Sequence, residues 1–183
     1  MNKYKWVKKL ETDRLILREL KKEDMDFVYN HFSNEDVCKY LLDNEPLKKR
    51  GEALEIINYY KDFEAKDHSR WGIVLKESNI LLGTCGFHRL DRKNNIIEIG
   101  YDLNKSYWGQ GYMTEALKEI IYVAFTNMQL NRIQAYVYIE NIASYKLLEK
   151  LKFIREGVIR DKHLFRGNYY DHYCYSLLAK DWK

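Results

Sequence analysis

The spacing of the apolar residues changes twice between positions 96 and 139, and this restricts the chain to a small set of folds. Ile96 to Leu103 is a short Ile-rich run of strand length. Leu117, Ile120, Ile121, Ala124, Phe125 and Met128 then recur at helical spacing and mark the strongest helix in the chain. From Arg132 to Ile139 alternation takes over, with Ile133, Ala135, Val137 and Ile139 on one face. A strand, a helix and a strand in that order make a crossover unit. The right-handed crossover rule makes its two strands parallel neighbours, or close to it.

The rest of the chain builds outward from this unit. Arg14 to Leu20 alternates and reads as a first strand. Met25, Val28, Tyr29 and Phe32 form one helix face, and a second helix follows Pro46 with Ala53, Ile56, Ile57, Tyr60 and Phe63 inward. Trp71 to Leu75 and Ile80 to His88 read as a hairpin around the polar turn Lys76-Glu77-Ser78-Asn79. Leu147, Leu148 and Leu151 mark a short helix, and Val158 to Leu178 reads as two strands around Arg166-Gly167-Asn168. This order predicts an α+β, or mixed α/β, fold in which helices pack on a mixed sheet. No repeat, low-complexity segment or linker rich in Gly, Pro or Ser divides residues 1–183, so one domain is expected.

Composition narrows the function. The net charge of +4, from 31 basic and 27 acidic residues without a basic run, does not argue for nucleic acid. Cys38, Cys85 and Cys174 are far apart and show neither CxxC nor zinc-ligand spacing, so reduced thiols and no metal are expected. The five histidines, His31, His68, His88, His163 and His172, are scattered, and His88 at the end of a central strand is the best placed to line a substrate site. No stretch approaches the roughly 18 apolar residues of a membrane span. Residues 1–14 lack the apolar core of a signal peptide. The expectation is a cytoplasmic protein with no membrane and no nucleic-acid partner.

Between the central strand and the long helix runs Asn104-Lys105-Ser106-Tyr107-Trp108-Gly109-Gln110-Gly111-Tyr112-Met113-Thr114-Glu115. A helix start carries unpaired N–H groups and the positive end of the macrodipole. Glycines just ahead of it let the backbone approach an anion. A plain strand-to-helix turn would use the same glycines. The dinucleotide fingerprint fails because its third glycine falls on Thr114, and the P-loop pattern is absent.

Several stretches resemble one known family. Ile97 to Leu103, followed by Tyr107 to Leu117, is similar to the central motif of the GNAT superfamily of acetyltransferases. The likeness is nearest to the RimJ/RimL-type ribosomal-protein N-terminal acetyltransferases. Glu11 to Arg18 resembles the family's first strand and Asn141 to Phe153 its second signature, while Arg155-Glu156-Gly157 and Ser176-Leu177-Leu178 also fit. The resemblance implies a strongly twisted mixed sheet of about six or seven strands with helices on both faces. That sheet is splayed between its fourth and fifth strands, with acetyl-CoA as co-substrate in the gap. The pantetheine arm would run along Tyr101, Asp102 and Leu103, with the pyrophosphate at Trp108, Gly109, Gln110, Gly111, Tyr112, Met113 and Thr114. Asn141 and Ser144 would approach the cofactor from the far side. Two positions depart from the family pattern. Ser106 stands where the family pattern has Gln or Arg, which leaves the backbone N–H groups to carry the grip, and Leu148 stands where many members have a tyrosine acid.

The reaction class sets the remaining search. An amine must shed a proton, attack the thioester carbonyl and release a thiolate, with no covalent enzyme intermediate required. Glu98, among Ile96, Ile97 and Ile99 and on one face with Gly100 and Asp102, is the candidate base, with a structural ion pair as its alternative role. Ser144 is the candidate to assist the thiolate, with N-cap of the short helix as its alternative role. The expected acceptor is a primary amine at a protein or peptide N-terminus. The alternatives are a small amine (antibiotic, polyamine or amino-acid-like) or a non-catalytic acyl-CoA-binding regulatory domain. A wide open cleft favours the polypeptide, and a closed acidic pocket favours a small cation. A homodimer is compatible with all of these.

Overall fold

Two short antiparallel strands, β1 (Lys9–Glu11) and β2 (Leu15–Glu19), begin the sheet. The computed structural model describes residues 7–41, 45–61 and 67–182. Three helices follow: α1 (Met25–Phe32), α2 (Glu35–Cys38) and α3 (Arg50–Tyr59). The chain then returns to the sheet as the hairpin β3 (Ser69–Leu75) and β4 (Ile80–Asp91), and continues into β5 (Ile96–Leu103). The long helix α4 (Tyr112–Thr126) leads to β6 (Arg132–Tyr138), and α5 (Ile142–Lys150) leads to β7 (Ile154–Phe165) and β8 (Asn168–Leu178). The strands form one sheet in the order β1-β2-β3-β4-β5-β6-β8-β7.

Strand alternation decides which helices cover which face. Leu15 and Leu17 of β2 join a core cluster with Ala116, Leu117, Ile120 and Ile121 of α4. Ile16, between them, packs with Val28 and Phe32 of α1 and Ala53 and Ile57 of α3. Helices therefore cover both faces, as expected. Each fully buried aliphatic side chain contributes about 1.5–3 kcal/mol, so both clusters hold their helices firmly. No described helix is long and apolar enough to cross a membrane.

Among the described residues the sheet has eight strands, one or two more than the resemblance implies. Lys9–Glu11 is too short for alternation to reveal and is held by pairing with β2. At the other end, β7 begins at Ile154 rather than Val158, and register shifts interrupt its pairing with β8, which blurs its alternation. The second predicted helix ends at Tyr59, and Phe63 lies outside the described residues.

The feature that makes a site is a failure of pairing. β5 and β6 are parallel but pair only at Ile96↔Arg132, Ile97↔Ile133 and Glu98↔Gln134. Beyond Glu98, β5 stays with β4 and β6 stays with β8, so the facing edges diverge. Residues 99–103 and 135–138 line the two sides of the resulting cleft. This is the splay implied above, displaced by one in strand number because β1 comes first.

Gly83 holds β4 tight against β5. A Cβ there would lie 2.2 Å from the Asp102 carbonyl oxygen and 2.7 Å from the Leu103 Cα, both backbone atoms of β5. Gly83→Ala is expected to destabilise the fold by about 1–3 kcal/mol, the usual cost of overpacking. A lowered urea midpoint at constant slope would show it. An unchanged midpoint would mean that β4 and β5 separate there without cost.

Candidate active site

The cleft has a volume of about 1630 Å³ and extends from the Trp108–Thr114 turn, past the open edge of β5, to the side of the sheet covered by α1 and α3. At its first end the turn is built by local hydrogen bonds. Asn104 Oδ1 accepts from the Ser106 N–H at 3.0 Å, and Trp108 Nε1 donates to the Leu103 carbonyl at 2.7 Å. Gly109 and Gly111 have φ of 74° and 82°, the left-handed region that favours glycine. Gly111 is the N-cap of α4 and offers no side-chain acceptor, so no cap competes for the first-turn N–H groups. Trp108, Gly109, Gly111, Tyr112, Met113 and Thr114 all line the cleft. Gln110 does not: its side-chain amide turns back to donate to the Ser106 carbonyl at 3.1 Å. Lys105 is paired with Asp36 of α2 at 3.0 Å, an exposed contact of small energetic weight. The residues fit an elongated anionic cofactor, with backbone donors at the turn and an unpaired strand edge beside it.

Across the cleft, Asn141 caps α5 by accepting from the Ser144 N–H at 3.2 Å. Asn141 is thus the N-cap, and Ser144 is released from that alternative. The Ser144 hydroxyl lies 2.9 Å from the Tyr101 hydroxyl, which also reaches the Ser144 carbonyl at 3.2 Å. Burial pushes the Tyr101 phenol up, so it remains a hydrogen-bond donor at any ordinary pH. These contacts join β5 to α5 across the splay.

The opposite face of β5 carries Glu98, Gly100 and Asp102. Glu98 is buried, but its surroundings are not the apolar ones the sequence predicts: Arg89 Nη1 lies 3.2 Å from Oε2. His88 is its register partner on β4. Gly100 makes room for the His88 ring, since a Cβ there would lie 3.2 Å from Nε2. Burial, then Arg70, His68 and Arg89, push the His88 imidazole down to about 3, so it is neutral in the cleft it lines. Tyr59, Tyr60 and His68 complete this wall.

Asp102, with its side chain 2% exposed, is the centre of a buried network. Its carboxylate accepts from His31 Nε2 at 2.6 Å, Arg70 Nη2 at 2.8 Å, Thr84 Oγ1 at 2.6 Å and the Thr84 N–H at 3.1 Å. Arg70 also donates to Thr84 Oγ1 at 2.7 Å and to the Tyr60 hydroxyl at 3.3 Å. The Asp102 side chain is therefore committed to this buried network. Sequence reasoning missed His31, Arg70 and Thr84, which lie 71, 32 and 18 positions from Asp102 and share no motif with it.

Comparison with known proteins agrees with this geometry. The family model for the acetyltransferase (GNAT) domain matches residues 14–154. The N-acetyltransferase p20 of Bacillus licheniformis is 38% identical over 174 residues, covering 94% of this chain and 97% of that protein. Among solved structures, a GNAT-family acetyltransferase from Bacillus anthracis superposes with a TM-score of 0.83 at 27% identity, covering 94% of this chain and 99% of its own. A spermidine N-acetyltransferase from Vibrio cholerae, solved with CoA and spermine, shares the fold with a TM-score of 0.81 at 21% identity, covering 93% and 98%.

Burial pushes the Asp102 carboxyl up, but Arg70, His31 and Thr84 more than offset it and hold it below the usual carboxylate range. A depressed folded-state value stabilises the fold above about pH 4, where the unfolded carboxyl is ionised, and this contribution is lost as pH falls through the folded value. Asp102→Asn is expected to cost about 3–5 kcal/mol at neutral pH, because it leaves Arg70 buried without its counter-charge. Its stability should also fall less steeply than the wild type's on acidification below about pH 4. Parallel acid slopes for the two proteins would remove Asp102 from the pH dependence.

Proposed function

The chain belongs to the GNAT acetyltransferase family and is an acetyl-CoA-dependent N-acetyltransferase, and we propose that its acceptor is the N-terminal amine of a protein or peptide. The observation that carries this is the open cleft of about 1630 Å³. Single-ligand pockets run to about 300–1,000 Å³, so this cleft has room for the cofactor and an extended second substrate. Near β5, Glu98 is answered by Arg89 and Asp102 by Arg70, so these two carboxylates are not free to select a polyamine, although Glu52, Glu55 and Asp67 also line the cleft. An acceptor of this kind places the chain with the RimJ/RimL-type branch, acting in the cytoplasm.

In this reading the cofactor pyrophosphate sits on the N–H groups of the Trp108–Thr114 turn, and the pantetheine arm pairs with the open edge of β5 around Tyr101 and Asp102. Glu98 takes the proton from the incoming ammonium. The free amine attacks the thioester carbonyl carbon, and as the carbon–sulfur bond breaks the surplus proton on the nitrogen passes to the departing thiolate, which the Ser144 hydroxyl, held by Tyr101, stabilises by a hydrogen bond. The neutral His88 beside Glu98 adds no positive charge to repel the ammonium.

Purified protein given acetyl-CoA and a panel of peptides and small amines should add one acetyl mass to peptide N-termini, read by mass spectrometry. Turnover confined to small amines would overturn the polypeptide reading, and tight acetyl-CoA binding without any turnover would favour a sensor. On the best acceptor, Glu98→Gln should lower kcat by about 100-fold or more with little change in the KM for acetyl-CoA. Wild-type kcat in that variant would exclude Glu98 as base.

A further inference from the structure

The stretch Glu11–Arg18 resembles the family's first strand, yet none of its residues lines the cleft. Arg14 and Thr12 nevertheless reach the turn that does. Glu115, in the first turn of α4, accepts from the Thr12 hydroxyl at 2.5 Å, from the Arg14 N–H at 2.9 Å and from Arg14 Nε at 2.7 Å. The Thr12 oxygen in turn accepts from the Leu15 N–H at 3.0 Å, which ties the cluster to the start of β2. Burial pushes the Glu115 carboxyl up, but these donors more than offset it and hold it lowered, so the carboxylate stays charged against Arg14. From this anchored position Arg14 Nη1 donates to the Gln110 carbonyl at 3.1 Å, and the guanidinium lies 4.4 Å from the centre of the Tyr112 ring.

We propose that Arg14 is a positioning residue for acetyl-CoA, one that fixes the orientation of the Gln110–Gly111 peptide from behind the turn. The argument rests on the placement of the pyrophosphate given above. Gln110 lies between two glycines with positive φ, so its flanking peptide planes have unusual freedom to rotate. A trans peptide is planar, and its C=O and N–H point in opposite directions. Drawing the Gln110 oxygen toward Arg14, outside the cleft, therefore directs the Gly111 N–H toward the side that Gly111 lines. Tyr112, Met113 and Thr114 follow as the first turn of α4, and Glu115 fixes that turn to the same arginine. One guanidinium thus sets the donor array and the helix start together. It also supplies a positive charge close to the turn, where Ser106 replaces the long polar side chain of the family pattern.

The test needs no acceptor. Affinity for acetyl-CoA and for S-acetylpantetheine, which lacks the pyrophosphate, is measured by calorimetry in wild type, Arg14→Ala, Arg14→Lys and Glu115→Gln, with melting temperatures alongside. Arg14→Ala should weaken acetyl-CoA by about tenfold, the loss of one charged hydrogen bond, and leave S-acetylpantetheine unchanged. Arg14→Lys should recover part of the loss, because it restores the charge without the planar fork. Glu115→Gln should show a smaller loss in the same direction and serves as the reporter if Arg14→Ala does not fold. Equal weakening of both ligands, or of neither, overturns the proposal for Arg14 alone. A wild type that binds both ligands equally well overturns the placement of the pyrophosphate and the proposal with it.

Discussion

Everything distinctive about this molecule follows from the point at which β5 and β6 stop pairing. Two parallel strands that share only the pairs at Ile96, Ile97 and Glu98 leave their remaining facing backbone groups without each other. Peptide groups that their own sheet leaves unpaired need water or a ligand as partner, so the open edge is a ready place for a chain of amide groups. An elongated thioester cofactor with amide groups along its arm is suited to that edge. The same divergence puts the last paired residue, Glu98, at the apex of the cleft.

An open strand edge must be held in place from its other sides, and the structure does this through Asp102. His31 from α1, Arg70 from β3 and Thr84 from β4 converge on one carboxylate on the free half of β5. A buried ion pair is weak evidence for net stability, since desolvation offsets most of the attraction. Its geometric effect is clearer: three elements are fixed to the strand that presents the open edge. Gly83 acts in the same place by sterics, because no side chain can intervene between β4 and the Asp102 carbonyl.

The parts legible in the sequence are those encoded locally. The change of period between Ile96 and Ile139 identified β5, α4 and β6 and their parallel arrangement, because periodicity and crossover handedness are properties of contiguous chain. The glycine turn was legible for the same reason, although its residues are not equivalent: Gly109 and Gly111 face the cleft while Gln110 faces away. What could not be read was assembled from a distance. Arg14 meets Glu115 across 101 positions and His31 meets Asp102 across 71, and each reads in sequence as an ordinary polar residue. Glu98 shows both sides of this. Its strand and face were readable, but its ion pair comes from Arg89, which φ of 52° places at an irregularity in β4 that no pattern announces.

The departure at Leu148 now has a structural meaning. Leu148 is fully buried in the core beneath α5, so a polar tip there would meet apolar neighbours rather than the cleft in this packing. Hydroxyl groups reach the cleft from other positions. Ser144, one turn earlier on α5, is freed from capping by Asn141 and is met from the other side of the splay by Tyr101. A serine hydroxyl alone is a poor proton donor and rotates freely, whereas one bonded to a phenol has a fixed direction and a partner that reorganises with it. Burial raises the phenol of Tyr101, which suits stabilising a thiolate by hydrogen bond better than transferring a full proton to it. In the proposed mechanism the polar group that faces the leaving sulfur is therefore Ser144, at the seam between β5 and α5 that opens where strand pairing ends.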